Sequence, residues 1–214
     1  MNLETNLSTS AAFTGKIFSN WGRLLLLIAL SIIPIANFIV VGYMARIVRE
    51  NPDELPRLEN YAGLLLNGLL VFIAWLIYAA VPLIFIILGL GTWLFSRTLS
   101  PLGLALFVVG VLLLLGAMVI GTVAIGYTIK RDMDFTKIFA FQEVWGIIQR
   151  IGVGRYLVWY VVMAALGLVA AALGWLIPWV GGAIAGVFFG LFANKSLALL
   201  LDEALKPPQQ AEGG

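Results

Sequence analysis

The chain has 214 residues, 62% of them hydrophobic and only 11% charged, with a mean hydropathy of +1.03. An ordinary soluble domain carries roughly 25% charged residues, and a water-soluble fold of this size cannot hide so much apolar surface, so the composition is that of an integral membrane protein. Without Cys or His, and with a net charge of +2, it has no disulfides, thiolate nucleophiles, imidazole bases or imidazole ligands, and too little positive charge for nucleic acid.

In chain order, Met1–Ala11 carries Glu4 and no basic residue, which is not the basic-then-apolar opening of a cleaved signal peptide. The first run free of Asp, Glu, Lys and Arg is Leu24–Ala45, 22 residues long, and a helix crosses the hydrocarbon core in about 20. Pro34 divides it into the arms Leu24–Ile33 and Asn37–Arg46, each about 15 Å of helix. It reads as either a fifth span or a re-entrant hairpin. The hairpin is preferred because it leaves every basic residue except Arg97 on one side. The next charge-free run, Asn60–Ser96, is too long for one pass, which places Leu55–Asn67 at the interface and a span at Gly68–Phe95, kinked near Pro82. Thr98–Ile129 crosses once with tilt.

The segment Asp134–Ile151 places Phe135, Ile138, Phe139, Phe141, Val144, Trp145, Ile148 and Ile151 mostly at three- or four-residue spacing. That is an amphipathic helix in the membrane interface, with Lys137, Trp145 and Arg150 as its surface contacts; the competing reading is a helix packed on the bundle. Tyr156–Asn194 is again too long for one pass and is interrupted at Pro178-Trp179-Val180-Gly181-Gly182, predicting a hairpin of Tyr156–Ile177 and Gly182–Leu201. The polar tail from Lys206 reads as disordered. The fold class is therefore all-α: a polytopic transmembrane helix bundle with four full spans, a re-entrant or fifth span and an interfacial amphipathic helix. It forms a single membrane-embedded domain over 1–205, with a tail at 206–214. The basic residues Lys130, Arg131, Lys137, Arg150 and Arg155 predict a cytoplasmic Lys130–Arg155 loop in an inner (plasma) membrane, with Arg97 outside.

Three helix exits resemble one another: Gly42-Tyr43-Met44-Ala45-Arg46, Gly126-Tyr127-Thr128-Ile129-Lys130 and, more faintly, Gly190 to Lys195. This is either interfacial anchoring repeated by necessity or an internal duplication. Small residues line three seams: Gly103/Gly110/Ala117/Ala124, Ala164/Gly167/Ala171/Gly174 and Gly182/Gly186/Gly190. The last, a double GxxxG, is a candidate helix-packing or oligomer seam, and on that reading Gly186→Leu lowers stability more than Val187→Leu. Asn37 and Asn67 form a candidate polar site where they meet, or else satisfy backbone. The acidic and basic residues of Arg46–Glu59 alternate in sign, as a solvated loop does, and Asp132-Met133-Asp134 is too short a signal for a metal. No catalysis, cofactor or metal is expected.

The stretch Ile33-Pro34-Ile35-Ala36-Asn37-Phe38-Ile39-Val40-Val41-Gly42-Tyr43, followed by Arg46, Arg49, Leu55-Pro56, Asn67-Gly68-Leu69 and Ile77-Tyr78, resembles the domain-of-unknown-function family numbered 4013, which comprises prokaryotic multi-pass membrane proteins. After Leu-Pro the family's acidic-aromatic stretch is only partly matched by Arg57-Leu58-Glu59-Asn60-Tyr61. The resemblance implies a multi-pass membrane fold and carries no activity onto any residue. The expected role is a non-enzymatic membrane scaffold or accessory subunit. Its expected partners are the lipid bilayer and a second copy or another membrane protein. The alternative is a small channel or transporter formed by oligomerisation.

Overall fold

The computed structural model describes residues 2–96 and 100–206. Arg97 and the tail beyond Lys206 lie outside the described residues. Among those residues all regular structure is helical, as expected for backbone that must satisfy itself in lipid. Eight α-helices follow in order: α1 (Leu3–Gly15), α2 (Trp21–Ile32), α3 (Asn37–Glu50), α4 (Tyr61–Ser96), α5 (Pro101–Lys130), α6 (Phe141–Ile151), α7 (Val153–Gly174) and α8 (Gly181–Leu205). Short 3-10 turns occupy Lys16–Ser19 and Phe135–Phe139. Four of the helices, α4, α5, α7 and α8, are long and apolar enough to cross a membrane.

Local chemistry sets the helix ends. Asn2 caps α1 by accepting from the Thr5 N–H at 2.7 Å, and Asn20 caps α2 by accepting from the Arg23 N–H at 3.0 Å. Ile33 precedes Pro34 and is held extended (φ −90°, ψ 118°), because a residue before proline is disfavoured in the helical region. Leu24–Ala45 is therefore not one helix. Arg23, at the start of α2, donates to the Leu55 carbonyl beyond the end of α3 at 2.9 Å, and Lys16 reaches the Asp53 carbonyl at 2.9 Å. The beginning of α2 and the end of α3 thus sit at one level, so the two form an antiparallel hairpin. Their 12 and 14 residues give about 18 and 21 Å of helix, short of the ~30 Å hydrocarbon core. A left-handed Asn51 (φ 45°) closes α3, the use of Asn where glycine is otherwise commonest. Ser100 and Pro101 open α5 as cap and first-turn proline.

Two expectations need correction here. The first is the second span, expected at Gly68–Phe95 with a kink near Pro82: α4 starts earlier, at Tyr61, and runs as one helix through Pro82, so Tyr61–Asn67 are its first turns. The second is Asp134–Ile151, which is not one helix. The Asp134 carboxylate accepts from the Thr136 N–H at 3.0 Å and starts a 3-10 turn. The Tyr78 hydroxyl then takes the Ile138 carbonyl at 2.7 Å, away from any α-helical ladder. Only Phe141–Ile151 is α-helical. Its Val144, Ile147, Ile148 and Ile151 are buried on the bundle, while Phe139, Phe141 and Trp145 remain exposed.

The charged ends of the helices gather at one end of the molecule, and so does the core. Val123–Ile129 of α5, Tyr156 and Trp159 of α7, and Leu200 and Leu201 of α8 are buried there with α6. A second cluster joins Phe13 and Ile17 to Leu24 and Leu27 of α2, Tyr43 and Ile47 of α3, and Val187 and Leu191 of α8. Away from this end, only 11% of the apolar window of α4, and the same share of α5, is buried; the rest is surface that only lipid or another apolar partner can cover.

Candidate functional site

α3 packs along α4, α4 along α5, and α7 along α8. Glycines make the first two contacts close. A Cβ on Gly42 would stand 1.9 Å from the Leu64 carbonyl oxygen, and one on Gly68 would stand 1.8 Å from that of Phe38. Between α4 and α5, a Cβ on Gly89 would meet the Phe107 backbone and one on Gly110 would meet Ile86. Between α7 and α8, Gly167 lies under the Phe189 ring.

The Gly182/Gly186/Gly190 seam behaves differently, which corrects its reading as a packing seam within the chain. A Cβ on Gly182 or Gly186 would meet nothing within 4 Å, and one on Gly190 would meet only the flexible Met44 side chain, at 3.2 Å. The three glycines line a cavity of about 620 Å³, walled opposite by Asn37 and Met44 of α3 and Trp75 of α4. A second cavity of about 550 Å³ continues between α5 and α7, past Thr122, Tyr160 and Met163, and shares Val71, Trp75, Ile129 and Asn194 with the first. The α3–α4–α5 and α7–α8 groups meet at their charged ends and leave an apolar cleft between them. The stability order expected at the seam is reversed: Gly186 has open space, whereas Val187 is 1% exposed, so enlarging position 187 carries the greater cost.

Asn37 lines this cleft, while Asn67 lines a separate cavity with Arg46 and Arg49. The two do not form one polar site. Asn194 donates to its own helix at the Gly190 carbonyl, 2.8 Å away. Lys137 pairs with Glu143 at 2.8 Å. This bond holds the Glu143 carboxyl below the usual range, with help from the Tyr127 hydroxyl, and raises Lys137 in turn. Trp145 and Arg150 are both exposed.

Beneath the cleft a clamp ties the elements together. Lys195 of α8, 2% exposed, donates to the Asn51 side-chain oxygen and the Pro52 carbonyl, each at 2.7 Å, and sits 5.0 Å from the Phe13 ring centroid. Asn51 donates to Asp202 at 2.7 Å, and Asp202 also pairs with Lys130. A buried chain of polar groups docks α1: Trp159 donates to the Ser196 hydroxyl at 2.8 Å, Ser196 bonds the Asn6 side chain, and Asn6 donates back to the Ser196 carbonyl at 3.0 Å. These residues were missed at the sequence level, although Asn6, Ser10, Phe13 and Ile17, all buried, repeat at the spacing of one helix face. The repeated exits have a shared use. The Tyr43 hydroxyl donates to the Pro56 carbonyl and the Tyr127 hydroxyl to Glu143, so each tyrosine ties down the segment that follows its helix. Asp132 lies 3.9 Å from Arg49 and Asp134 caps Thr136. Among the described residues no three carboxylates converge as a metal site would require.

Long apolar helices, a broken hairpin and an apolar cleft define a class of protein: an all-α, multi-pass membrane-type bundle. The chain belongs to the family described as protein of unknown function (DUF4013), whose model matches residues 25–179. It is similar to an uncharacterized protein of Methanocaldococcus jannaschii, 29% identical over 159 residues that cover 69% of this chain and 51% of the relative. The chain thus spans about half the length of the curated relative it matches. No solved structure matches.

Proposed function

We propose that this protein is a non-enzymatic membrane scaffold or accessory subunit whose working surface is the cleft, held open beside the α8 glycines and filled by lipid acyl chains or an apolar segment of a membrane partner. The observation that carries this reading is the empty space over Gly182 and Gly186: small residues kept where no helix approaches make room for an occupant. Purification in mild detergent, followed by mass spectrometry of what stays bound, tests it. Retained phospholipid or a specific membrane protein, lost in Gly186→Trp, is the expected result. A bare wild-type chain would contradict it. The second reading, a channel formed by oligomerisation, draws support from the same small-residue face together with Asn37 and Asn194. It predicts ion flux in proteoliposomes that Gly186→Trp blocks.

The membrane we propose is the plasma membrane, with the charged end inside. Twelve of the thirteen Lys and Arg, all but Arg97, precede, follow or join helices at that end, and basic loops stay cytoplasmic. The protein has no native Cys, so single-Cys variants report cleanly. Cysteines at Ser8 and Gln142 are expected to resist an impermeant thiol reagent on intact cells, and one at Ser100 to react. Labelling at position 142 would reverse the orientation. The exposed Phe139, Phe141 and Trp145 support an interfacial seat for this face, where an indole keeps its ring apolar and its N–H wet. A fluorophore at position 145 should be quenched by headgroup-labelled lipid; quenching only by aqueous iodide would place it in water.

A further inference from the structure

On the side of α3 away from the cleft lies a smaller cavity of about 340 Å³, walled by Arg46, Arg49, Glu50, Glu59, Asn60 and Asn67. Val41 and Met44 face the cleft while Arg46, Arg49 and Glu50 face this cavity, so the two sites occupy different faces of one helix. The charges on its walls sum to zero, but they are not all neutralised among themselves. Glu50 takes both arginines, with Arg46 at 2.9 Å and Arg49 at 3.4 Å. Arg49 has one further ion pair, Asp132 at 3.9 Å, which leaves donors of its five-donor fork unused. Among the described residues, neither the Glu59 carboxylate nor the Asn67 amide has a hydrogen-bond or ion-pair partner. The cavity therefore offers unspent donors at Arg49 and Asn67 and an unspent acceptor at Glu59.

Its depth follows from the length of α4. Thirty-six residues make about 54 Å of helix, against a hydrocarbon core of about 30 Å and a whole bilayer of about 40–45 Å. The first turns of α4 consequently stand among lipid headgroups, with Leu65, Leu66 and Leu69 exposed just beyond the cavity.

We propose that this cavity binds the headgroup of a zwitterionic phospholipid carrying a primary ammonium. Arg49 and Asn67 hold the phosphodiester, Glu59 accepts from the ammonium, and the acyl chains run down Leu65, Leu66 and Leu69. An anionic glycerol headgroup brings the same phosphodiester to Arg49 but no ammonium to answer Glu59, which leaves a net negative charge in a cavity whose own charges sum to zero. A trimethylammonium has no N–H to give to a carboxylate and is recognised by aromatic cages, whereas among the described residues no ring lines this cavity. The inference rests on α4 crossing the bilayer and is independent of what fills the cleft.

The test uses the full chain in nanodiscs made from equal parts phosphatidylethanolamine, phosphatidylglycerol and phosphatidylcholine, with bound lipid read by native mass spectrometry. Phosphatidylethanolamine is expected to be enriched about fivefold over each of the others, the ratio that one partly exposed ion pair of about 1 kcal/mol supports. Glu59→Gln is expected to bring it down to the level of phosphatidylcholine, and because Glu59 is exposed and unpartnered, folding is not at stake. Asn67→Ala should lower retention of all three lipids. Enrichment of phosphatidylglycerol, or a Glu59→Gln ratio equal to wild type, would overturn the proposal. So would full displacement by an equal concentration of water-soluble glycerophosphoethanolamine, which would make the ligand a free solute.

Discussion

Gly68→Ala is expected to lower the unfolding temperature in mild detergent well below that of the wild type, while Gly186→Ala leaves it unchanged or slightly raised. The new methyl at position 68 would lie 1.8 Å from the Phe38 carbonyl oxygen and 2.9 Å from the Gly42 backbone nitrogen. Both are backbone atoms of α3, so no side chain can swing aside and the two helices must separate. Overpacking costs about 1–3 kcal/mol and occasionally more, and this contact is at the severe end. At position 186 the same methyl meets nothing within 4 Å and gains the helix propensity of alanine, about 1 kcal/mol in a helix interior. Equal melting of the two variants would mean that α3 and α4 are not in backbone contact.

Lys195→Met is expected to destabilise the protein on the order of 3 kcal/mol, the upper range for hydrogen bonds to a charged donor. The methionine matches much of the lysine stem in shape, so the loss isolates the ammonium. Its removal leaves the Asn51 side-chain oxygen and the Pro52 carbonyl without their donor, and it frees the left-handed turn at Asn51 that ends α3. Because the same turn bonds Asp202, the α2–α3 hairpin should loosen from α8. Thermal unfolding should report this as a large drop, while Lys206→Met, at an exposed position, should change nothing measurable. A Lys195→Met protein as stable as wild type would mean that the clamp does not hold the hairpin.

The four long helices were legible in the sequence because charge-free runs set their lengths and Pro178 to Gly182 broke the one that was too long. The hairpin at Pro34 was legible for a similar reason: each arm was half a bilayer long, and the pre-proline residue cannot easily stay helical. Helix α1 was not, since seven of its thirteen residues are polar and what orders it is a buried Asn6–Ser196–Trp159 contact with helices some 150 to 190 residues away in sequence. The break in Asp134–Ile151 was hidden too. Its periodicity was helical throughout, but Tyr78, on another helix, claims the Ile138 carbonyl. The glycine seam on α8 failed for a different reason. A small-residue stripe has the same spacing whether it admits a neighbouring backbone or lines a void, and only the partner distinguishes them. Gly42 and Gly68, which do admit a backbone, carry no such repeat. The role of Lys195 was not legible, because a lysine near a helix end ordinarily faces water and its acceptors belong to a turn about 140 residues earlier.

The most direct measurement of the cleft is a thiol-reactive fluorophore on a cysteine at position 186, in bilayers containing phospholipids labelled with a quencher along the acyl chain. A second cysteine at Glu54, exposed between α3 and α4, is the reference for a site away from the acyl chains. A cleft open to lipid predicts strong quenching at 186 and little at 54. Quenching at 186 no greater than at 54, together with a disulfide between copies through position 186, would show that the glycine face is closed by protein and would contradict the lipid-filled cleft.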